Sequence, residues 1–257
     1  GNSWPPSDVR ETTLFLNPDN NLDFDLSTKE IDSFSWIYNP SKPVPTISAN
    51  VTGFYKWLEI PKNMDASYVP QRARMVSLIP DGPLHQRERS TTMGASEPLL
   101  LSCERKDVVV FETKPIEEKI EVTGPVNVTL YISSSSVDTD FTAKLLDIYP
   151  ESDEFPEGFH LPLADSIIRT RFRNGFAREE FMNPGDVYQV KIELPPIANL
   201  FVPGHKLRLE IASSNFPRFD INPNTGEPLG KHTKSIQAKN TVYVGQKYPS
   251  CIKLFTT

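Results

Sequence analysis

Alternation of apolar and polar residues is clearest at 121–150, which predicts two strands joined by a serine-rich corner. From Val126 to Ile132 the apolar residues share one parity, and Asn127, Thr129 and Tyr131 occupy the other. This period of two indicates a half-buried strand. Residues 141–149 are apolar on both parities, so the second strand is predicted to be covered on both faces. A covered strand beside a half-buried one is typical of the middle of a β-sandwich.

Shorter alternating segments extend this pattern over most of the chain and predict an all-β fold. On the order of ten to twelve strands at short spacing favour a sandwich or jelly roll, and 24 prolines leave little room for long helices. The other predicted strands are 11–16, 33–38, 108–111, 119–122, 166–173, 187–194, 207–211, 241–244 and 251–255. The one predicted helical turn is 177–182.

The segment 166–173 alternates with three arginines on one parity, at Arg169, Arg171 and Arg173. One face of this strand is predicted to be buried and the other basic. The basic face is interpreted as a salt-bridged outer surface, or as an interface with another domain, in preference to a phosphate site.

Residues 47–104 are the exception, because they contain five prolines and show no sustained period. An irregular excursion of this length is usually functional or mobile. It carries Phe54, Tyr55 and Trp57, which one strand edge cannot bury together because successive side chains point in opposite directions. Two interpretations stay open, exposed aromatics that a partner covers or a small satellite core.

Composition narrows the classes of function. The net charge is −6 and no basic stripe is visible, which argues against nucleic acid as a partner. No run approaches the ~18 apolar residues of a membrane span, so no membrane partner is expected. Cys103 and Cys251 are too few for a disulfide scaffold, so two buried free thiols are expected, with one disulfide as the open alternative. Gly1 in place of Met is interpreted as the remnant of a tag, with the parent protein extending upstream.

No motif for nucleophilic catalysis is found, so the chain alone is not expected to be an enzyme. A serine hydrolase needs a G-x-S-x-G elbow, and the nearest match, 94–98, ends in proline. The S-x-x-K pattern at 250–253 lies on a predicted strand, where Ser250 and Lys253 would face opposite sides. This second match is attributed to chance.

Neither a metal nor a cofactor is predicted. The four histidines lack metal-ligand spacing. His205 is expected to be a hydrogen-bonded turn residue, His160 and His232 to lie solvated in polar loops, and His85 to be the one candidate for ligand contact. The segment 220–226 resembles a calcium loop, but its glycine is one place late and Lys231 occupies the position of the bidentate glutamate. A folded turn is therefore predicted there.

Four long motifs carry a resemblance to a known family. They are SSSSVDTDFTAKLLDIYP, ADSIIRTRFRNG, PGDVYQVKIEL and FVPGHKLRLEIASSNFPRFDINPNTG, with weaker matches at WPP, YNPSKPVP, GPLHQRE, RKDVVVFETKP and YPSCIKL. In this order they resemble the C-terminal non-catalytic domain of the serine hydrolases that include Xaa-Pro dipeptidyl-peptidases, cocaine esterase and the α-amino acid ester hydrolases.

The resemblance implies a galactose-binding-domain-like jelly roll that forms one accessory domain over 1–257, with an insertion at about 47–104. In this family a catalytic α/β-hydrolase domain precedes the accessory domain, and that catalytic domain is absent from this chain. The accessory domain packs on it and helps wall the substrate cleft from a loop after a Pro-Val-Pro segment, which corresponds here to Phe54, Tyr55 and Trp57. His85, in the same irregular region, is added as a further cleft-lining candidate.

The implied substrate is a small ester, amide or peptide that is reached through the catalytic domain, and a homo-oligomer is left open. An alternative function is an independent carbohydrate-binding jelly-roll module, for which Phe54, Tyr55 and Trp57 would form the sugar platform. A third is a structural or oligomerising sandwich.

Overall fold

The computed structural model describes residues 4–48, 55–57, 75–80 and 82–257, with the backbone alone at 55–57 and 75–77. Thirteen strands are described: β1 Arg10–Leu16, β2 Leu22–Asp23, β3 Asp32–Tyr38, β4 Tyr55–Trp57, β5 Met75–Ser77, β6 Val109–Glu112, β7 Ile120–Ser134, β8 Asp140–Tyr149, β9 Phe159–Arg169, β10 Tyr188–Phe201, β11 Lys206–Ala212, β12 Ala238–Val244 and β13 Cys251–Thr256. Helical structure within the described ranges is limited to short 3-10 turns at Pro18–Asn20, Ser102–Glu104 and Thr170–Phe172.

The strands form two antiparallel sheets and a separate hairpin. The larger sheet has the order β2-β1-β13-β7-β12-β3, with β10 paired to β7, and the smaller sheet has the order β6-β11-β8-β9. Among the residues that the structure describes, strands β4 and β5 pair only with each other. The all-β prediction and the β-sandwich are confirmed, whereas the galactose-binding-like subtype stays a prediction.

The core lies between the two sheets, as the alternation predicts. Val126, Val128, Leu130 and Ile132 of β7 are fully buried, and β8 is buried along nearly its whole length. The two strands lie in opposite sheets, so the serine-rich corner carries the chain across the core. Trp36 of β3 meets Phe141 of β8 edge to face at 5.7 Å between ring centroids, which joins the two sheets.

The prediction of two separate strands at 119–122 and 126–132 is wrong. Residues 120–122 and 126–132 belong to one strand, β7, and the Gly124-Pro125 pair lies inside it, opposite a register shift between Leu194 and Ile197 of β10. A β-bulge of this kind absorbs a proline that has no N–H to donate. The Cβ of Phe255 lies 2.8 Å from the position a Cβ at Gly124 would occupy, so glycine fits here where a side chain would not.

The expected helical turn at 177–182 is absent. The backbone N–H of Glu180 donates to the carbonyl of Arg171, and that of Met182 donates to the carbonyl of Val137, each at 2.8 Å. Hydrogen bonds to distant residues therefore replace the local i to i+4 bonds of a helix.

The predicted strand 166–173 ends early, and the outward basic face is wrong for one arginine. Strand β9 stops at Arg169, and the 3-10 turn that follows rotates Arg171 inward, where its side chain is 1% exposed. Its Nε donates to Oδ2 of Asp138 at 2.8 Å, and its backbone N–H donates to Oδ1 at 3.0 Å. Arg169 stays partly exposed and forms two 2.9 Å bonds to Asp140.

Three smaller predictions, on the thiols, the 220–226 turn and His205, are confirmed. Both cysteines are free thiols, although Cys103 is only partly buried. The 220–226 segment is a folded turn in which Asn224 has a φ of 64° and donates its N–H to the side chain of Asn222. His205 bonds through Nδ1 to Asp147 at 2.7 Å. No described helix has the length and apolar character needed to span a membrane.

Candidate functional site

The outer face of the smaller sheet carries a row of buried charges. The strand register places Glu210 of β11, Lys144 of β8 and Asp165 of β9 side by side. These residues are 3%, 8% and 7% exposed. If the outer face of this sheet were in contact with solvent, all three side chains would be exposed. A charge removed from water must be paired or hydrogen-bonded, so the segments that cover this face have to supply partners.

Lys144 finds its partner in the irregular segment that precedes β6. Its Nζ donates to Oε1 of the fully buried Gln86 at 2.9 Å. The Nε2 of Gln86 donates in turn to Oγ of Ser48 at 3.2 Å and to the carbonyl of Leu84 at 2.9 Å. The N–H of Leu84 also donates to Oγ of Ser48, at 3.1 Å. Residues on the two sides of the β4–β5 hairpin are thereby bonded to each other and to β8.

Asp165 anchors the segment just before Ser48. It forms an ion pair with Arg218 and accepts a hydrogen bond from the side-chain amide of Asn215. Asn215 accepts in turn from Oγ1 of Thr46 at 2.7 Å, and the N–H of Thr46 donates to the carbonyl of Phe216 at 2.6 Å. Among the described residues, Lys144 and Asp165 do not form an ion pair with each other. Each of them instead binds a different part of the segments that cover this face.

Residues in and near the GPLHQRE and RKD motifs form further hydrogen bonds and ion pairs at this face. Ser102 donates its hydroxyl to Glu210 at 2.9 Å. The buried Glu88 accepts from Arg105 at 2.7 Å, and Arg105 also bonds twice to Asp107. Arg87 reaches Glu157 across the edge of the sheet at 3.2 Å. The motif residues therefore fasten the irregular segment to the sandwich.

His85 lies against β9, half-buried, with its ring 5.1 Å from His160 and 5.5 Å from Phe159. Its Nδ1 accepts the backbone N–H of His160 at 3.1 Å. The expectation that His160 is solvated in a loop is wrong, because β9 begins at Phe159 and His160 is 7% exposed on it. Nδ1 of His160 is 3.1 Å from an Nη of Arg208, a permanent donor. A neutral imidazole with a free Nδ1 lone pair satisfies each contact.

The environment of both rings opposes protonation. Burial, with help from Arg208 and His85, lowers the pKa of His160 to about 3. Burial and the neighbouring Arg87 lower the pKa of His85 below its usual value. Glu112 and Glu157 act in the opposite direction on His160 and His85 respectively, with less effect.

We expect the domain to lose about 1–2 kcal/mol of stability through His160 between pH 7 and pH 5, after discounting for solvent screening. The unfolded chain binds a proton near pH 6.5, whereas the native ring stays neutral to about pH 3. The unfolded state therefore takes up more protons as the pH falls, and acid favours it. Urea unfolding at pH 7, 6 and 5 measures the effect.

His160→Gln is the matched control for this measurement. The pKa values of Asp140 and Asp147 are raised by burial and act in the opposite direction, so the comparison between wild type and variant isolates the histidine. An identical pH dependence of the two proteins would contradict the prediction.

The aromatic candidates are described less completely. Phe54 lies outside the described residues. Tyr55 and Trp57 lie on β4, where their backbones pair with Ser77 and Met75 of β5. The hairpin that carries them and the segment that carries His85 share one base, at Ser48 and Leu84. Their role as cleft-lining residues stays a prediction.

The serine of the S-x-x-K pattern has a structural role. Ser250 is fully buried, donates its hydroxyl to the carbonyl of Tyr243 at 2.6 Å and accepts the N–H of Tyr131 at 3.0 Å. Lys253 pairs with Glu11 at 2.7 Å. A nucleophile needs an adjacent general base, and the hydroxyl of Ser250 donates instead to a backbone carbonyl.

Comparison with known proteins identifies the domain. The family model of the X-Pro dipeptidyl-peptidase C-terminal non-catalytic domain matches residues 1–253. The chain belongs to this family. This C-terminal non-catalytic domain is 30% identical over 262 residues to the cocaine esterase of Rhodococcus sp. (strain MB1 Bresler), a match that covers 98% of the chain and 38% of that esterase.

Two solved structures place the C-terminal non-catalytic domain within longer chains. One is an aminopeptidase from a marine sediment Thaumarchaeota archaeon, with a TM-score of 0.74 and 26% identity over 99% of this chain and 38% of that one. The other is an α-amino acid ester hydrolase, with the same score and identity over 96% of this chain and 36% of that one. The chain thus spans less than half the length of these relatives, and the domain is accessory to a larger remainder in each.

Proposed function

We propose that this domain packs on the catalytic α/β-hydrolase domain of a parent serine hydrolase and helps wall its substrate cleft. The match of nearly the whole chain to about 38% of a cocaine esterase carries the proposal. The domain contributes no nucleophile, and its part is to present side chains to a substrate that the catalytic domain attacks.

The proposed contribution comes from the excursion between Ser48 and Leu84. In the part of the chain that the structure describes, its hairpin pairs with neither sheet of the sandwich. Its base is nevertheless fastened to β8 by buried polar contacts. A segment that lies outside the core and is nevertheless firmly attached is suited to contact another domain. We assign Phe54, Tyr55 and Trp57 of the excursion, together with His85 just after it, to this cleft wall.

The proposed substrate class is a small ester, amide or peptide. The relatives are an esterase, an aminopeptidase and an ester hydrolase by name, and all three names describe cleavage of an acyl bond. Aromatic side chains at the wall would offer apolar contact to the group flanking the scissile carbonyl. Such contact fixes orientation and selects between substrates.

Tyr55→Ala in the full-length enzyme is expected to raise KM roughly three- to tenfold while kcat changes little. The reason is that uniform substrate contact is lost without a change at the catalytic serine. Steady-state kinetics on an ester and on an Xaa-Pro anilide would measure it, together with the melting temperature.

Ile37→Ala, at a 54% exposed residue of β3, is the matched control. It removes an exposed apolar side chain from the sandwich surface and should leave KM unchanged. A large fall in melting temperature for Tyr55→Ala, with unchanged kinetics in the folded fraction, would show a packing role instead and contradict the proposal.

A further inference from the structure

We infer that Ser48, Gln86 and Lys144 form a positioning clasp that sets where the β4–β5 hairpin stands relative to the sandwich. The inference rests on the proposed function, because it assigns these residues the task of placing the cleft wall. None of the three is proposed to touch substrate.

The clasp closes a long excursion at its base. Between Ser48 and Leu84 lie 35 residues, 49–83, and the hydroxyl of Ser48 accepts both the N–H of Leu84 and an N–H of Gln86. One oxygen thus ties the outgoing chain to the returning chain. Closing a loop of this length costs entropy that local bonds must offset, and here those bonds are concentrated on one buried side chain.

Lys144 connects the closed base to the middle of the sheet. It lies on β8, which β11 and β9 flank on either side, and its ammonium donates to Gln86. Hydrogen bonds from a charged donor are about twice as strong as neutral ones. Gln86 is fully buried and uses both ends of its amide, as acceptor from Lys144 and as donor to Ser48 and Leu84. A flip of this amide would break each of these hydrogen bonds, so only one orientation of the Gln86 side chain satisfies them.

The clasp is expected to affect the position of the β4–β5 hairpin more than the stability of the sandwich. The main hydrophobic core lies on the other face of the sheet, so loss of the Ser48 hydroxyl would leave that core intact and release the base of the hairpin. A displacement of about 1 Å at a substrate-contacting group weakens its contact with the substrate. Ser48→Ala should therefore affect substrate binding before it affects folding, whereas Gln86→Leu also leaves the buried ammonium of Lys144 without its acceptor.

The test compares Ser48→Ala and Gln86→Leu with Gln189→Leu in the full-length enzyme. Gln189 is an exposed glutamine of β10, and its side-chain amide donates to the hydroxyl of Tyr131 at 3.2 Å, outside the clasp. Both clasp variants should speed amide exchange at residues 84–88 about tenfold or more and raise KM roughly threefold or more with a small change in kcat. The Gln189 variant should match wild type in both measurements. Ser48→Ala removes only one hydroxyl, which keeps the test valid if Gln86→Leu fails to fold.

The contrary outcomes separate the two proposals. Unchanged exchange at 84–88 in Ser48→Ala would overturn the clasp. Faster exchange with unchanged KM would overturn its positioning role. Tyr55→Ala in the same assay then tests whether the proposed cleft-wall function holds. A raised KM for Tyr55→Ala alone would leave the proposed function standing without the clasp, and no change in either variant would end both.

Discussion

Arg171→Ala is expected to lower the free energy of unfolding by about 3–5 kcal/mol, the usual cost of removing one partner from a buried ion pair. Arg171 is the largest fully buried side chain among the described residues. The side chain of its partner Asp138 is 0% exposed, so the variant would leave a carboxylate without its main counter-charge in a dry site. It would also lose the bond from Nη2 to the carbonyl of Glu227 and the contact with the ring of Phe181.

Arg178→Ala is the matched control, because it removes the same side chain at a site where 81% of it is exposed. Its ion pair with Glu180 lies at the surface, so the expected loss is under about 1 kcal/mol. Urea denaturation of both variants, analysed with the m-value, gives the comparison. A loss below about 1 kcal/mol for Arg171→Ala would show that water or another group replaces the guanidinium.

The size of this effect follows from a network that ties two loops to the corner after β7. The side-chain amide of Asn222 donates to Asp138 at 3.0 Å and to Asp140 at 2.7 Å. The hydroxyl of Tyr38 donates to the carbonyl of Asn222 at 3.2 Å, and burial together with the charge of Asp140 raises the pKa of that hydroxyl. The NPNTG segment is therefore held by acceptors that the SSSSVDTD segment supplies.

Periodicity predicts the core strands well, because burial of one face leaves a direct mark on the sequence. It fails at Arg171, where alternation continues through a 3-10 turn that changes the direction of the side chain. The partner that makes burial of Arg171 acceptable, Asp138, is 33 residues away. No local pattern reports such a pairing, since only the contact of β8 with β9 creates it.

The candidate site was predictable in part. The lack of hydrophobic periodicity at 47–104 predicts the excursion, and His85 lies in the GPLHQRE motif within it. Gln86 was missed, because a glutamine in a loop has no period and its partner Lys144 lies 58 residues away. One signal was available, since Lys144 lies in a strand predicted to be covered on both faces. A lysine there requires an acceptor from the covering segment.

Leu145→Ala and Leu130→Ala are each expected to cost about 2–5 kcal/mol, the range for a leucine truncated in a packed core. Both residues are 0% exposed and belong to one hydrophobic cluster, although Leu145 lies on β8 and Leu130 on β7 of the opposite sheet. Each variant would open a cavity of three carbons at the junction of the sheets. The spread depends on how far the neighbours relax.

Leu200→Ala is the matched control, since this β10 residue is 48% exposed and the same truncation leaves no buried cavity. Its expected cost is under about 1 kcal/mol, so the difference from the two core variants measures burial and not the chemistry of the substitution. The two sheets share one core only if both core variants are costly. A loss well under 1 kcal/mol at Leu130 and Leu145 together would mean that the faces of β7 and β8 are assigned incorrectly. A large loss at one of them alone would place the other outside the shared core.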